Sequence, residues 1–241
     1  MKEAIEKLQQ AVNESSYIVF FGGAGVSTES GIPDFRSQDG LYSQKYKYPP
    51  ETIVSHSFFM RRTEEFYEFY KDKMLFTEAK PNAAHLKLAE LEKAGKLKAV
   101  ITQNIDGLHQ AAGSKEVLEL HGSTLRNYCM SCGKKYDGIQ FIMDSPGVPK
   151  CDCGGVIRPD VVLYEEGLDN SVIRRAVDHI ARADLLIIGG TSLVVYPAAG
   201  FIDYFHGKHL VVINMSETSR DKMADIVING KIGEVLGQIT V

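Results

Sequence analysis

The sequence lacks a surplus of charge of either sign. Its 27 Lys+Arg against 31 Asp+Glu leave a formal net charge of −4 over 241 residues. No basic field is available to hold nucleic acid by its phosphates, so no direct nucleic-acid partner is expected. No apolar run approaches the roughly 20 residues that span a bilayer, and no membrane partner is expected either. The opening MKEAIEKLQQAVNESS has no apolar core and mixes acids with its bases, unlike a secretory signal. A cytoplasmic location is the expectation. Internal repeats and low-complexity tracts are missing. Cysteine is absent outside the stretch Cys129 to Cys153. The remaining composition, 44% hydrophobic and 24% charged, excludes disorder, collagen and coiled coil for the whole chain. The length admits one or two domains.

Short apolar runs alternate with helical patterns. Residues 3–14 carry Ile5, Leu8 and Val12 at helical spacing. Tyr17–Phe21 is a continuous apolar run, as expected of a strand covered on both faces. Residues 82–94 read as a helix stopped by Gly95. Lys98–Thr102, Val117–Leu120, Asp160–Tyr164, Asp184–Ile188 and His209–Ile213 read as further strands, with helical stretches near 170–183 and 197–206. Such alternation implies parallel crossovers, hence an α/β fold with a Rossmann-like doubly wound sheet. Residues 37–80, where Phe58–Lys73 looks helical, and 125–156 break the rhythm. Both read as insertions that pack together as a smaller domain. The large domain then takes residues 1–36, 81–124 and 157–241.

Phe20–Thr28 is a strand running into a glycine turn. Gly23 and Gly25 fit the pattern G-x-G-x-x-G, but Thr28 stands at the third glycine position. Such a loop lets backbone approach a pyrophosphate, although a plain tight turn is an equal reading. Beyond Pro33, Asp34, Phe35 and Arg36 place an acid, an aromatic ring and a guanidinium where a segment can fold over a bound dinucleotide. Gln103, Asn104 and Asp106 follow a strand end, where ligands of open α/β sheets bind. Helix capping is the plain alternative for Asn104 and Asp106. His121 also ends a strand, ahead of Gly122. A neutral imidazole there can take a proton from a ribose hydroxyl. His109 is the second candidate among the seven histidines.

The cysteines form two hooks. Cys129-x-x-Cys132 is followed, after eighteen intervening residues, by Cys151-x-Cys153. Two such pairs form the zinc-ribbon pattern, and four thiolates make a closed, structural site. The second hook is one residue shorter than usual. A redox dithiol and free thiols are the alternatives.

Taken in order, Gly23–Arg36, Thr102–His109, His121-Gly122, the cysteine hooks and Gly190-Thr191-Ser192 closely resemble the sirtuin family, over about Tyr17 to Ile232. The resemblance implies a large Rossmann-like domain and a small domain made of a helical module, 37–80, plus a zinc ribbon, 125–156. It implies an enzyme, an NAD-dependent deacetylase acting on acetyl-lysine proteins or peptides. NAD is consumed as co-substrate, and one structural zinc is held by Cys129, Cys132, Cys151 and Cys153. The products implied are nicotinamide, O-acetyl-ADP-ribose and free lysine. Carried over by position, Ala24, Thr28, Phe35 and Arg36 line the NAD pocket. Gln103, Ile105 and Asp106 surround the nicotinamide and its ribose. Thr191, Ser192, Asn214 and Ile232 hold the phosphates and the adenosine end. His121 is the implied base, with Asn104 and Asp106 acting beside it. Val162, and Val194, Val195 and Tyr196, border an acyl-lysine peptide bound as an added strand.

The chain also departs from the family. Tyr164-Glu165-Glu166 replaces the common Phe-Gly-Glu, so Glu165 is expected to narrow or charge the peptide channel. The segment Ser37–Pro49 has tyrosines but lacks the arginine of sirtuins that take succinyl or malonyl groups. Acetyl and other neutral acyl groups are expected instead. The segment from Val26 to about Pro50 is expected to order over bound NAD. ADP-ribosyl transfer to protein and a non-catalytic NAD sensor are the rival functions. An ordinary dehydrogenase is disfavoured, because no acid follows the loop by about 20 residues in a βαβ context.

Overall fold

The computed structural model describes residues 1–35, 40 and 46–241. Arg36, and with it residues 36–39 and 41–45 of the segment expected to order over NAD, lie outside the described residues. The strands are β1 (Ile18–Gly22), β2 (Leu97–Thr102), β3 (Val117–Glu119), β4 (Gly122–Cys129), β5 (Lys135–Asp137), β6 (Ile157–Val161), β7 (Leu185–Gly189), β8 (His209–Asn214) and β9 (Ile226–Asn229). The helices are α1 (Lys2–Glu14), α2 (Pro50–Ile53), α3 (His56–Arg61), α4 (Thr63–Lys73), α5 (Ala83–Lys93), α6 (Leu108–Ala111), α7 (Gln140–Asp144), α8 (Asn170–Arg182) and α9 (Ile232–Leu236).

Six strands form one parallel sheet in the order β3-β2-β1-β7-β8-β9. This is the doubly wound arrangement, and the strand order reverses between β1 and β7. Alternation along each strand explains why the runs are apolar throughout. Ile18 and Phe20, with Leu185 and Ile187, join Leu8, Leu88 and Val235 in a core beneath α1, α5 and α9. Val19 and Phe21, with Leu186 and Ile188, face the other way onto α8 and the 3-10 segment Ala198–Tyr204. Both faces are covered, so polar alternation has no place in these strands.

The second sheet is small and antiparallel, β5-β4-β6. The strand read at 160–164 belongs here: it lies at 157–161 and pairs with β4 instead of entering the parallel sheet. Residues 122–124 and 157–161 thus extend the small sheet past the expected limits at 125 and 156. The expected helix over Phe58–Lys73 is two helices, because Arg62 takes a non-helical conformation. Their aromatic faces meet in a third core of Phe58, Phe59, Phe66, Tyr67, Phe69 and Tyr70, which also takes in Ile142 and Leu163. The Tyr67 hydroxyl donates to the carbonyl of Ile157, tying the helical module to the ribbon. The stretch at 197–206 is 3-10 rather than α, and β9 is a short strand that the sequence pattern did not reveal.

Glycine is required where β1 and β7 end. Gly25 N–H donates to the Gly190 carbonyl at 2.8 Å. A Cβ on Gly25 would sit 2.8 Å from Gly190 Cα, and one on Gly190 would sit 2.4 Å from Val26 N. Gly190 also has φ +59°, which L side chains rarely adopt. Gly190→Ala is therefore expected to destabilise the fold by about 2–5 kcal/mol, from backbone strain plus overpacking. A denaturant midpoint equal to that of the wild type, at equal m, would contradict this.

Candidate active site

The described loops that the sequence singled out lie together along the carboxyl edge of the parallel sheet. From β1 come Gly23–Phe35, from β2 Gln103–Asp106, from β3 His121, from β7 Thr191 and Ser192, and from β8 Asn214. The loop after β1 does not continue into a long helix. It makes two 3-10 turns, Ala24–Val26 and Thr28–Ser30, and Gly31 ends the second at φ +84°. These turns aim Ser27 inward and Thr28 outward. Ser27 is buried, and its Oγ donates to Asp106 Oδ2 at 2.7 Å while accepting from Asn104 Nδ2 at 3.0 Å. Thr28 is exposed and bonds back to the Gly25 carbonyl at 3.0 Å. Asp106 Oδ1 accepts the N–H of Leu108 at 2.9 Å, so the capping reading of Asp106 holds alongside its place in this web.

Gln103 ties three loops. Its Nε2 donates to Thr191 Oγ1 at 3.1 Å, its N–H to the Gly22 carbonyl at 3.0 Å, and its carbonyl meets His121 Nδ1 at 2.9 Å. A carbonyl only accepts, so Nδ1 carries the proton and Nε2 keeps its lone pair. Burial pushes the His121 pKa below the usual imidazole value, against the opposing pull of that carbonyl. The ring is therefore neutral near pH 7, with a basic nitrogen available. Ile105 is half-buried and its carbonyl accepts the N–H and Oγ1 of Thr124 at 2.9 and 3.0 Å. Ala24 and Phe35 are half-buried on the first loop.

Asn214 Nδ2 donates to the Thr191 and Ser216 carbonyls at 3.2 and 2.9 Å. Beside it opens a cavity of about 440 Å³, lined by Asn214, Ser216, Glu217, Thr218, Asp221 and Asn229 among others. Ser192, next to Thr191, is exposed, whereas the Ile232 side chain is turned into the core against Gly189. Val162 N–H donates to the His121 carbonyl at 3.0 Å. Val194 and Tyr196 are exposed and Val195 half-buried.

Glu165 stands where the family commonly has a glycine. It takes the glycine-like φ of +75°. Its carboxylate accepts the N–H and Oγ of Ser57, both at 2.9 Å. Glu166 accepts from Arg158 and Leu163 N–H and meets His56 Nδ1 at 2.7 Å. The segment 162–164 is thus braced between His121 and the helical module, to which Tyr164 also pairs in parallel.

Sequence reasoning missed Ser27, Asn82, Glu29, Ser216 and Glu217. Asn82 caps α5 and also donates to the Val26 carbonyl at 2.8 Å, propping the glycine loop. Glu29 accepts the Gly233 N–H at 2.6 Å. The helix start after Pro81 was a signal for Asn82. For Ser27 there was none, since periodicity does not tell which of two adjacent hydroxyls points inward.

The Sir2 family model matches residues 23–197. The chain belongs to the Sir2 family. It is 62% identical to an NAD-dependent protein deacetylase of Clostridium perfringens, over 99% of both chains. It is 62% identical to another of Clostridium acetobutylicum, over 97% of both. A solved Sir2 enzyme with p53 peptide and NAD+ superposes with a TM-score of 0.85 at 44% identity, covering 96% of this chain and 95% of that one. A Sir2 variant with deacetylated p53 peptide and 3′-O-acetyl-ADP-ribose gives 0.88 at 42% identity, with the same coverage.

This Sir2-family chain brings Cys129, Cys132, Cys151 and Cys153 together. Their sulfurs lie within 4.8 Å of one another, with two pairs at 3.5 and 3.6 Å. Tetrahedral zinc at about 2.3 Å from each sulfur requires edges of about 3.8 Å, so the donor set fits the ion. Pure protein is expected to carry one zinc per chain, and a chelator strong enough to strip it should lower the melting temperature of the small domain. Zinc-free protein with an undiminished melting temperature would contradict this.

His109, the second candidate base, is sealed in the core. Its ring centroid is 4.7 Å from that of His85 and 6.1 Å from that of Phe20. Burial lowers the His109 pKa to about 3 and that of His85 to about 4, the latter partly opposed by Asp106. From an ordinary value of 6.5 downward, the unfolded chain takes up protons that these folded imidazoles refuse. Stability is therefore present above about pH 6.5 and falls as pH drops toward 4. His109→Leu should make that fall shallower, and an unchanged slope in denaturation curves across this range would contradict it.

Proposed function

We propose that this chain is an NAD-dependent protein-lysine deacetylase that moves the acetyl group of lysine onto the ADP-ribose of NAD. The observation that carries the reading is His121. Its Nδ1 is held by the Gln103 carbonyl, beside the Ser27–Asn104–Asp106 web, in a chain 62% identical to named deacetylases along its length. In this reading Ala24, Thr28 and Phe35 line the dinucleotide on one side, with Gln103 and Ile105 on the other. Thr191, Ser192 and Asn214 lead toward the adenosine end, where Ile232 offers backbone alone. Arg36 belongs to the same loop by sequence.

The chemistry follows from the groups present. Asn104 and Asp106, oriented by Ser27, hold the nicotinamide end so that the bond to the ribose C1′ is exposed. The acetyl oxygen attacks C1′ as nicotinamide leaves. His121 Nε2 then takes a proton from a ribose hydroxyl, which attacks the imidate carbon. A neutral imidazole with a fixed tautomer is what that step needs. The C–N bond of the adduct then breaks to free the lysine amine, and one water opens the acetyl group left bridging two ribose oxygens, so the products are nicotinamide, free lysine and O-acetyl-ADP-ribose. The peptide lies extended between Val162 and the segment of Val194, Val195 and Tyr196, held chiefly by main-chain bonds. The large domain comprises 1–36, 81–121 and 162–241, with the helical module 37–80 and a zinc ribbon widened to 122–161 by the pairing of β4 and β6 inserted. A cytoplasmic setting fits four thiols gathered at one metal site. Among the described residues, no helix is long and apolar enough to cross a membrane.

His121→Ala should lower deacetylation by about 10²–10⁴-fold. It should still exchange labelled nicotinamide into NAD, because the first bond breaks before the base is needed. Asp106→Asn should impair both exchange and deacetylation. Near-wild-type deacetylation by His121→Ala would overturn the assignment.

A further inference from the structure

The two cysteine hooks do not treat their first sulfurs alike. Cys129 opens the longer hook, and its Sγ accepts the backbone N–H of Ser131 at 3.4 Å and of Cys132 at 3.5 Å. Cys151 opens the hook that is one residue shorter. The N–H of Cys153 faces its sulfur. The next one, from Gly154, turns away and donates to the Cys151 carbonyl at 2.8 Å. The shortened turn thus withholds one backbone donor. The Tyr136 hydroxyl stands in that place, donating to Cys151 Sγ at 3.1 Å.

Tyr136 is well held for this task. It sits on β5 opposite Asn127 of β4. Its ring packs on Phe141 with centroids 5.0 Å apart, and Lys134 Nζ lies 5.2 Å over its face. Lys134 is itself paired with Asp152, the residue between the two cysteines of the short hook, at 2.6 Å. The phenol is therefore fixed from its ring, its strand and its neighbour. Four thiolates around one Zn²⁺ carry two surplus negative charges, and each N–H or O–H donor spreads part of that charge off sulfur.

We propose that Tyr136 is a positioning residue for the zinc: its hydroxyl replaces the backbone donor that Cys151-x-Cys153 lacks and keeps the Cys151 sulfur on the metal. This rests on the reading of the four cysteines as a zinc site. It explains how a hook with one residue fewer still completes the site.

The test uses full-length, zinc-loaded protein. Zinc transfer to a chelating dye is timed for the wild type, Tyr136→Phe and Phe141→Leu. Tyr136→Phe keeps the ring and removes only the hydroxyl. It should release zinc about 10-fold faster or more, as loss of a hydrogen bond behind a metal ligand does. Phe141→Leu, which loosens the ring packing but keeps the hydroxyl, should stay within about 2-fold of the wild type, against that 10-fold. The same proteins loaded with cobalt give a thiolate-to-metal charge-transfer band. Loss of a donor on sulfur should move that band to longer wavelength in Tyr136→Phe alone. Equal release rates would overturn the proposal, because the hydroxyl would then hold nothing. Faster release with an unmoved band would overturn it too, because the loss would come through packing. Wild-type protein without zinc would remove the reading beneath it, a separate outcome from either.

Discussion

Where the strand order reverses, backbone meets backbone. The Gly25 N–H lies on the Gly190 carbonyl, and neither residue has room for a Cβ. That approach brings the loop after β1 down onto the loop after β7. It leaves Thr191 within reach of Gln103 from β2 and Asn214 from β8. Gln103 in turn reaches His121 from β3. Loops of five strands are thereby locked to one another at the sheet edge where ligands of this fold class bind. A side chain at either glycine would separate them before any catalytic group was touched.

The same edge is economical with charge. Ser27 satisfies both Asn104 and Asp106, and Leu108 N–H takes the other carboxylate oxygen. The imidazoles of His85 and His109 beneath it stay neutral through burial. His121 is neutral by the same cause, yet its tautomer leaves one nitrogen basic. The small domain contributes at a distance. Glu165 clasps Ser57, and Glu166 gathers Arg158, His56 and Leu163, so the segment beside His121 is braced by the module inserted far from it in sequence.

Much of this was legible in the sequence, and the physics says why. Strands covered on both faces are written as continuous apolar runs, so β1, β2, β7 and β8 could be placed to within a residue or so. Five ordered motifs, the cysteine hooks among them, are specific because each needs particular residue types at particular spacings. Other features depend on tertiary pairing and leave no local trace. The 157–161 strand joins the small sheet because β4 is its neighbour, not because of its own composition. Ser27 points inward because two 3-10 turns follow the glycines, and their geometry is not written in the local sequence. The acid at Glu165 is plain in the sequence, but the left-handed backbone that sets its carboxylate on Ser57 is not. Ile232 matched the family by position, yet its side chain fills the core beside Gly189.

The central claim is that the acyl group leaves lysine for the sugar of NAD. It is tested most directly by following every product when the protein meets NAD and an acetyl-lysine peptide. The account predicts nicotinamide, deacetylated peptide and O-acetyl-ADP-ribose in equal amounts, with NAD required. ADP-ribose attached to protein, free acetate released without NAD, or NAD bound but never consumed would each contradict it.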